Sequence, residues 1–342
     1  MSQSRRPTLE SVARHAAVSR QTVSNALNSP HRVRPETLDR VRAAIDELGY
    51  RPHLAARQLK TRRSRVIGLR LEPVRDGING AVLDRFLHAL TEEAQRAGYR
   101  IMLIAAADDN AEIAQYEELL GTADIDAFVL ASTHHGDPRT RWLGDRGVSF
   151  VTFGRPWDDS ELSAHPWVDV DGAAGTRAAV EHLWGLGHRR IGFVGWPVGS
   201  GVGDDRRAGW RSALTDRTGS PHGFDDLDAG VFDQADAGSA ATRALLDVPD
   251  PPTAVVCASD SLALGAIAAA TARRRNLAVV GFDDTPAAAA VGLTSVAQPL
   301  AEAAAHAVAL LLHRLDGTTT PTGVPETVRL LTPHLVVRSS TT

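Results

Sequence analysis

The side chains with the clearest potential for chemistry lie near the N-terminus, on one short predicted helix. They are Arg20, Gln21, Thr22, Ser24 and Asn25. Arginine can donate two hydrogen bonds to guanine O6 and N7, and glutamine or asparagine can bond to adenine N6 and N7 in the same bidentate way. This set of residue types predicts direct reading of base edges in double-stranded DNA.

Two predicted helices position these side chains. Thr8 has the sequence context of an N-cap for a helix over residues 8–15. Ser11 stands where glutamate would complete a capping box, so the cap is expected to lack its reciprocal partner. Ser19 caps the next helix, residues 20–27, after a short break. Two short helices around a tight turn form a helix-turn-helix, whose second helix enters the major groove.

The N-terminal segment is also strongly basic. A third predicted helix, residues 36–48, ends at Gly49. The first 65 residues carry 14 basic and five acidic side chains, a net charge of +9, whereas the rest of the chain carries −13. A small basic module beside an acidic body is typical of nucleic-acid-binding proteins, because cationic side chains release counterions from phosphate.

Many residues of this segment match a known sequence pattern in type, order and spacing. They are Val12-Ala13, Val18-Ser19, Thr22-Val23-Ser24, Asn28, Val33, Thr37, Leu48-Gly49-Tyr50, Pro52, Ala55 and Leu59. The pattern resembles the DNA-binding headpiece and hinge of the LacI family of bacterial repressors. The resemblance implies an all-α headpiece over residues 1–52 and a hinge helix with linker over residues 53–65. It also implies a DNA-contacting set, namely Thr8, Ser19, Arg20, Gln21, Thr22, Ser24, Asn25, Asn28, Arg32, Thr37, Tyr50, Ala56, Arg57 and Leu59.

The hinge is expected to act in the minor groove. The resemblance implies that residues 53–60 form a helix when two subunits bind the operator, as in relatives. It also implies that Leu59 is inserted at the central base step, beside Ala56. Eight residues are too few for a stable isolated helix, which favours folding on binding. The alternative is that Leu54 and Leu59 cover a hydrophobic core.

From Val66 onward, predicted strands and helices alternate, which indicates an α/β domain with parallel sheets. The supporting motifs are Leu186-Gly187-His188-Arg189-Arg190-Ile191, Arg206-Arg207-Ala208-Gly209-Trp210 and Gly281-Phe282-Asp283-Asp284. They are similar to the type I periplasmic-binding-protein fold, two Rossmann-like subdomains with a cleft between them. The resemblance implies an effector-binding and dimerisation domain over residues 66–342. Its N-subdomain is expected at about 66–162 plus 293–323, and its C-subdomain at about 163–292 plus 324–342.

The resemblance also implies an effector site in the cleft. Arg206 matches the family's effector arginine, and Asp283 matches an acidic residue that meets a ligand hydroxyl or base. A structural salt bridge is the alternative for each, and a one-residue shift of the alignment would replace Arg206 by Arg207. Further expected wall residues are Leu83, Phe86, Ser132, Arg155 and Phe232. Trp196 is notable in a chain with 5% aromatic residues, and such a site suits a sugar or a nucleobase.

The sequence departs from the family pattern at three places. Gly154 stands where many relatives carry aspartate, and Ser259 replaces the usual asparagine before Asp260. The segment over residues 72–77 is longer and more charged than the small-residue turn expected in the first loop of the cleft.

Enzymatic and metal-binding functions find little support, and no cofactor is expected. His134, His135 and Asp137 could suggest a metal site, but no further ligand follows at suitable spacing. No phosphate-binding loop motif and no GxGxxG in a strand-to-helix turn appears, and we interpret the glycine-rich run over residues 199–203 as a flexible loop.

These observations predict a non-enzymatic transcriptional regulator. We expect a homodimeric repressor that binds a pseudo-palindromic operator and an effector that is a sugar, with a nucleobase or a phosphorylated metabolite as alternatives. The sequence lacks an apolar run long enough to span a bilayer and a secretory signal, which favours the cytoplasm. A sugar-binding transport protein and a sugar-metabolising enzyme are the rival classes.

Overall fold

Packing divides the chain into two units, Met1–Ser64 and Arg65–Thr342. The computed structural model describes residues 7–50, 63–71, 80–122, 125–157, 165–316 and 327–342. No helix within these ranges is both long and apolar enough to cross a membrane.

The first unit is a small helical domain. It contains α1 (Leu9–His15), α2 (Arg20–Asn28) and α3 (Pro35–Leu48), with a 3-10 turn at Pro30–Arg32. The fully buried Val12, Val23 and Val41 place one valine from each helix in a shared core. Gly49 ends α3 with a φ of 60°, a left-handed conformation that glycine adopts without a steric penalty.

Both caps that the sequence predicts are present, and one is more complete than predicted. Ser11 N donates to Thr8 Oγ1 at 3.2 Å, and Thr8 N donates to Ser11 Oγ at 2.8 Å. The expectation that Thr8 lacks a reciprocal partner is therefore wrong, because the serine hydroxyl accepts the hydrogen bond that a glutamate would accept. Ser19 Oγ accepts from Thr22 N at 3.0 Å at the start of α2.

The second unit contains two sheets and the helices that cover them. Its first elements are β1 (Val66–Leu71), α4 (Gly80–Arg96), β2 (Arg100–Ala105), α5 (Asp109–Thr122), β3 (Ala127–Leu130), α6 (Pro138–Asp145), β4 (Ser149–Phe153) and β5 (Trp167–Val170). There follow α7 (Gly172–Gly185), β6 (Ile191–Gly195), α8 (Val202–Thr218), β7 (Asp228–Gly230), α9 (Ala235–Leu246), β8 (Ala254–Cys257) and α10 (Asp260–Ala272). The last are β9 (Ala278–Phe282), α11 (Pro286–Ala290), β10 (Thr294–Ala297), α12 (Leu300–Asp316), β11 (Val328–Leu331) and β12 (His334–Val336).

Each sheet has six strands. The first has the order β11-β5-β4-β3-β1-β2 and the second the order β12-β10-β9-β8-β6-β7. Among the described residues, β10 and β12 pair antiparallel and the other strand pairs are parallel. Parallel strands with helices on both faces are the doubly wound α/β architecture, and this confirms the predicted fold class.

The crossovers between the two sheets lie further along the chain than predicted. Strand β5 pairs with β4 in the first sheet, β10 pairs with β9 in the second, and β11 returns to β5 in the first. The predicted subdomain boundaries, after residues 162, 292 and 323, therefore precede the crossovers by one strand each. Local apolar patterns identify a strand, but its sheet is decided by long-range hydrogen bonding.

Candidate functional site

The exposed face of α2 brings the predicted base-reading residues together. Arg20 and Gln21 are exposed, and Thr22, Ser24 and Asn25 are half-buried. Gln21 Nε2 donates to Asn25 Oδ1 at 2.9 Å, which aligns two amide side chains along one face of the helix. Ser19 Oγ and Thr22 Oγ1 are hydrogen-bonded at 2.8 Å in the first turn.

The other DNA-contacting candidates occupy different environments. Thr8 caps α1, Arg32 is exposed in the turn before α3, and Thr37 is half-buried in the first turn of α3. Tyr50 is only 5% exposed and packs in the core of the headpiece, where burial raises the pKa of its phenol. Its ring supports the helical fold, contrary to the expectation of a surface contact.

Four candidates cannot be placed from side-chain geometry. Asn28 is the last residue of α2, but its side chain lies outside the described part of the structure. The hinge residues Ala56, Arg57 and Leu59 also lie outside the described residues.

In the α/β unit, Arg206 and Asp283 meet at the carboxyl end of the second sheet. Arg206 lies on α8 and Asp283 directly follows β9, and their Nη1 and Oδ1 atoms are 3.7 Å apart. Gln298 Nε2 also donates to Asp283 Oδ1, at 2.6 Å. Burial raises the pKa of Asp283 to about 7, and the positive charge of Arg206 opposes part of that rise.

Arg206, and not its neighbour, is the arginine that meets Asp283. Arg207 turns away from Asp283, and its Nε donates to Asp228 Oδ1 at 2.9 Å. The guanidinium carbon of Arg206 lies 3.7 Å from the ring centre of Phe282 and 5.3 Å from that of Trp196. The structure therefore favours the alignment that matches Arg206, rather than Arg207, to the effector arginine of the family.

Three hydrogen-bond donors in this region have no partner among the described residues. They are Arg206 Nε, Trp196 Nε1 and Ser200 Oγ, and each atom is buried. A side chain at Gly203 would touch both Ser200 and Trp196, which places these residues side by side. An unsatisfied buried polar group costs about 1–3 kcal/mol, so such a cluster is typical of a site for a polar ligand. Ser200 lies in the glycine-rich run that the sequence pattern assigns to a flexible loop.

The remaining wall candidates differ in accessibility. Phe86 is 1% exposed and its ring stacks on Phe153 with centroids 4.2 Å apart, so Phe86 is a core residue rather than a wall residue. Leu83 is half-buried on α4, and Ser132 is exposed after β3. Phe232 is 75% exposed between β7 and α9.

Arg155 joins the loop after β4 to β5 and to helix α8. Its Nε donates to Asp169 Oδ2 at 2.6 Å, and its Nη2 donates to Asp205 Oδ2, at the start of α8, at 3.2 Å. Burial lowers the pKa of Arg155, but the two carboxylates outweigh that effect and the net pKa is raised.

A second arginine, Arg85, connects α4 to the segment that follows β9. Arg85 Nη1, on α4, donates to the main-chain oxygens of Asp283 at 3.2 Å and of Asp284 at 3.1 Å. Both acceptor residues have positive φ angles, 109° and 47°. The sequence pattern does not single out Arg85, because the carbonyls it binds lie almost two hundred positions away.

Two of the three departures from the family pattern have local explanations. A side chain at Gly154, whose φ is 121°, would overlap Thr133 Oγ1, so this backbone accepts only glycine. Ser259 is fully buried, caps α10 and donates to Asp233. The segment over residues 72–77 lies outside the described residues.

One cluster resembles a metal site in composition. Ligand atoms of Asp109, His134 and Asp137 lie within 4.8 Å of one another. However, Arg70 Nη1 lies 3.1 Å from Asp109 Oδ1, and Arg139 Nη2 lies 2.6 Å from Asp137 Oδ2. Because two guanidinium groups occupy the carboxylates that a cation would need, we assign an ion-pair network here.

Comparison with known proteins places these features in a family. The profile of "Bacterial regulatory proteins, lacI family" matches residues 8–53, and that of "Periplasmic binding protein-like domain" matches residues 180–341. The chain is 37% identical to the HTH-type transcriptional regulator CelR of Thermobifida fusca, over 99% of this chain and 100% of that protein. It is 31% identical to the transcriptional repressor CytR of Escherichia coli K12, over 98% of this chain and 96% of that protein.

Two solved structures show the same arrangement. A CelR–cellobiose complex has a TM-score of 0.71 at 32% identity and covers 98% of this chain and 100% of its own. A lac repressor dimer bound to operator and the anti-inducer ONPF has a TM-score of 0.81 at 26% identity, covering 98% and 99%. With a matching headpiece, a matching α/β unit and relatives similar along nearly the whole chain, this protein belongs to the LacI family of bacterial transcriptional regulators.

Proposed function

We propose that the chain is a transcriptional repressor that binds a pseudo-palindromic operator as a homodimer and responds to a sugar in the cleft of its α/β unit. The basic N-terminal segment and the polar face of α2 support the DNA-binding half of this proposal. Two-fold symmetry of the protein would match two half-sites of the operator. The lac repressor relative is described as a dimer on operator.

The observation that carries the effector half is the cluster of unpartnered donors at Trp196, Ser200 and Arg206. Beside them Asp283 supplies a carboxylate acceptor, and the half-buried Trp196 supplies an aromatic ring. A sugar carries hydroxyls that both donate and accept, together with apolar C–H faces, and therefore matches all three features. The CelR relative was solved with cellobiose.

A phosphorylated effector fits this chemistry less well. The Arg206 guanidinium already lies 3.7 Å from the carboxyl group of Asp283, and Arg155 is balanced by Asp169 and Asp205. A phosphate would bring further negative charge into a region whose cations are paired, which costs electrostatic free energy. An uncharged, multiply hydroxylated ligand avoids this cost.

The rival classes have less support. The cited relatives are named as transcriptional regulators, which supports neither a sugar-binding transport protein nor a sugar-metabolising enzyme. A repressor of this kind works where operator DNA is, so we place it in the cytoplasm.

Allosteric control requires only a modest coupling free energy. A difference of about 1–3 kcal/mol in effector affinity between the operator-bound and free states changes operator affinity by about 5–150-fold. The contacts of Arg85 and Arg155, which connect the two subdomains, would hold the cleft closed around the sugar.

The test is a fluorescence-anisotropy titration of the full chain against the DNA upstream of its own gene, at two salt concentrations. Each titration is repeated with cellobiose, lactose, maltose and glucose. Tight, salt-sensitive binding that one sugar changes at least about fivefold supports both halves of the proposal. Specific binding that none of the sugars alters would overturn the sugar assignment, and weak binding to every sequence would overturn the operator assignment.

Matched variants connect the result to the cleft. Arg206→Met should abolish the sugar response while operator binding persists, because it removes the guanidinium beside Asp283. Arg207→Met is the control, since its guanidinium points to Asp228.

A further inference from the structure

We propose that Arg139 is a positioning residue for the effector cleft, acting through the loop over residues 131–133. This inference rests on the proposed function, in which that loop forms the wall of the effector cleft contributed by the first sheet. Nothing in the local sequence marks Arg139, which sits in the first turn of the short helix α6.

The side chain of Arg139 is fully buried, and each of its three nitrogens donates at least one hydrogen bond. Its Nε donates to Asp137 Oδ1 at 2.9 Å and its Nη1 donates to Glu112 Oε2 at 3.0 Å. Its relative exposure is 0%, and that of Glu112 is also 0%. The two carboxylates raise the pKa of Arg139 although burial alone would lower it.

Thermodynamic stability alone is a weak explanation for such a group. Desolvating a guanidinium and a carboxylate costs several kcal/mol, and apolar residues of similar volume often replace a buried ion pair without loss of stability. A buried charge network is better explained when it fixes one geometry. Arg139 has the groups to do so, since its planar guanidinium donates in several set directions at once.

The geometry that Arg139 fixes is that of the loop after β3. Its Nη2 donates to the main-chain oxygens of Ala131 at 3.1 Å and of Ser132 at 3.3 Å. Ser132 has a φ of 55°, a conformation that residues other than glycine seldom adopt. Strained backbone of this kind persists when its surroundings over-determine it.

The loop is in turn tied to the second loop of the cleft. Thr133 Oγ1 donates to the main-chain oxygen of Arg155 at 3.0 Å, and Trp157 Nε1 donates to that of Thr133 at 3.1 Å. Arg155 then pairs with Asp205, and a side chain at Gly201 would overlap the ring of Trp157. The orientation of both loops that meet the second sheet is therefore set by the anchor at Arg139.

The experiment compares Arg139→Met, Arg139→Lys and wild type in the full chain. Methionine removes the donors, whereas lysine keeps the charge but cannot reach two carboxylates and two carbonyls at once. Arg177→Met, which removes a surface ion pair with Asp216, controls for loss of any arginine. Hydrogen–deuterium exchange of peptides covering residues 131–135 and 153–157 reports the loops without any ligand.

We expect exchange in both peptides to accelerate by about tenfold or more in Arg139→Met and Arg139→Lys, with no change in peptides from β8 and β9. The affinity for cellobiose, followed by tryptophan fluorescence, should fall by about tenfold or more in both variants, while operator affinity without sugar stays within about twofold. Normal exchange in Arg139→Met, or full restoration by lysine, would overturn the proposal, the latter because only the charge would then matter.

Two further measurements separate a failure of the sugar assignment from a failure of the role proposed for Arg139. If wild type does not bind cellobiose, the sugar assignment is tested by the other sugars, and the exchange data alone decide the role of Arg139. If the Arg139 variants do not fold, Thr133→Val replaces them, since it removes the bond to Arg155 and leaves the ion pairs intact. Faster exchange over residues 153–157 is expected, and unchanged exchange there contradicts the inference.

Discussion

The carboxylate of Asp283 lies 3.7 Å from the guanidinium of Arg206, and both side chains are more than nine-tenths buried. The pair is held at the carboxyl end of β9, where doubly wound folds bind their ligands. Because Asp283 is buried and also bonded to Gln298, its charge state affects both the stability of the unit and the chemistry of the cleft.

The first prediction concerns the pH dependence of stability. Burial raises the pKa of Asp283 from 3.8 to about 7, so between these values the folded protein holds a proton that the unfolded chain releases. The contribution of Asp283 to the free energy of unfolding is therefore fully present below about pH 4 and declines as the pH rises through about 7. Denaturant unfolding at pH 5 and pH 8 should show a smaller decline in Asp283→Asn than in wild type. An equal decline in both proteins would contradict the raised pKa.

A second prediction concerns the bridge between Arg155 and Asp205. Asp205→Asn keeps an acceptor for Ala173 N but removes the negative charge 3.2 Å from Arg155. Sugar affinity should fall by about fivefold, while operator affinity without sugar stays unchanged, because the pair stabilises the closed cleft. A double-mutant cycle with Arg155→Met should give a coupling free energy of about 1 kcal/mol for this largely buried pair. Additive effects of the two substitutions would show that the bridge does not act on closure.

A third prediction separates base reading from phosphate binding. Gln21→Ala should reduce discrimination at one base pair of each half-site by about 1–3 kcal/mol, because Gln21 lies exposed on α2 beside Asn25. Arg63→Ala should weaken binding to all sequences alike and lower the salt dependence. A binding selection on randomised half-sites measures both, and equal loss of base preference in the two variants would disprove the assignment.

A fourth prediction uses two glycines in helices. A side chain at Gly265 on α10 would overlap the main-chain oxygen of Ala235, where α10 packs against α9. Gly265→Ala should destabilise the protein by about 2 kcal/mol or more, because backbone must move. Gly185→Ala on α7 meets open space and should instead stabilise it by up to about 1 kcal/mol. Thermal unfolding of the two variants gives the comparison, and similar melting temperatures would refute it.

Local signals explain why so much of the architecture is predictable. Caps at Thr8 and Ser19, the apolar spacing of α3 and its end at Gly49 depend on residues a few positions apart. The alternation of strands and helices after Val66 likewise reflects short-range periodicity. The sequence by itself therefore determined the helix-turn-helix, the basic charge of the headpiece and the α/β class of the body.

Only the tertiary structure decided how distant residues meet. Strands β5 and β11 pair in the first sheet, and β10 pairs in the second. Phe86 packs against Phe153, and Arg139 of α6 donates a hydrogen bond to Glu112 of α5. Arg206 points toward Asp283, whereas Arg207 points toward Asp228. The physical reason is the same in each case: sheet pairing, core packing and buried ion pairs join residues far apart in the chain, and their geometry exists only once the strands are in register.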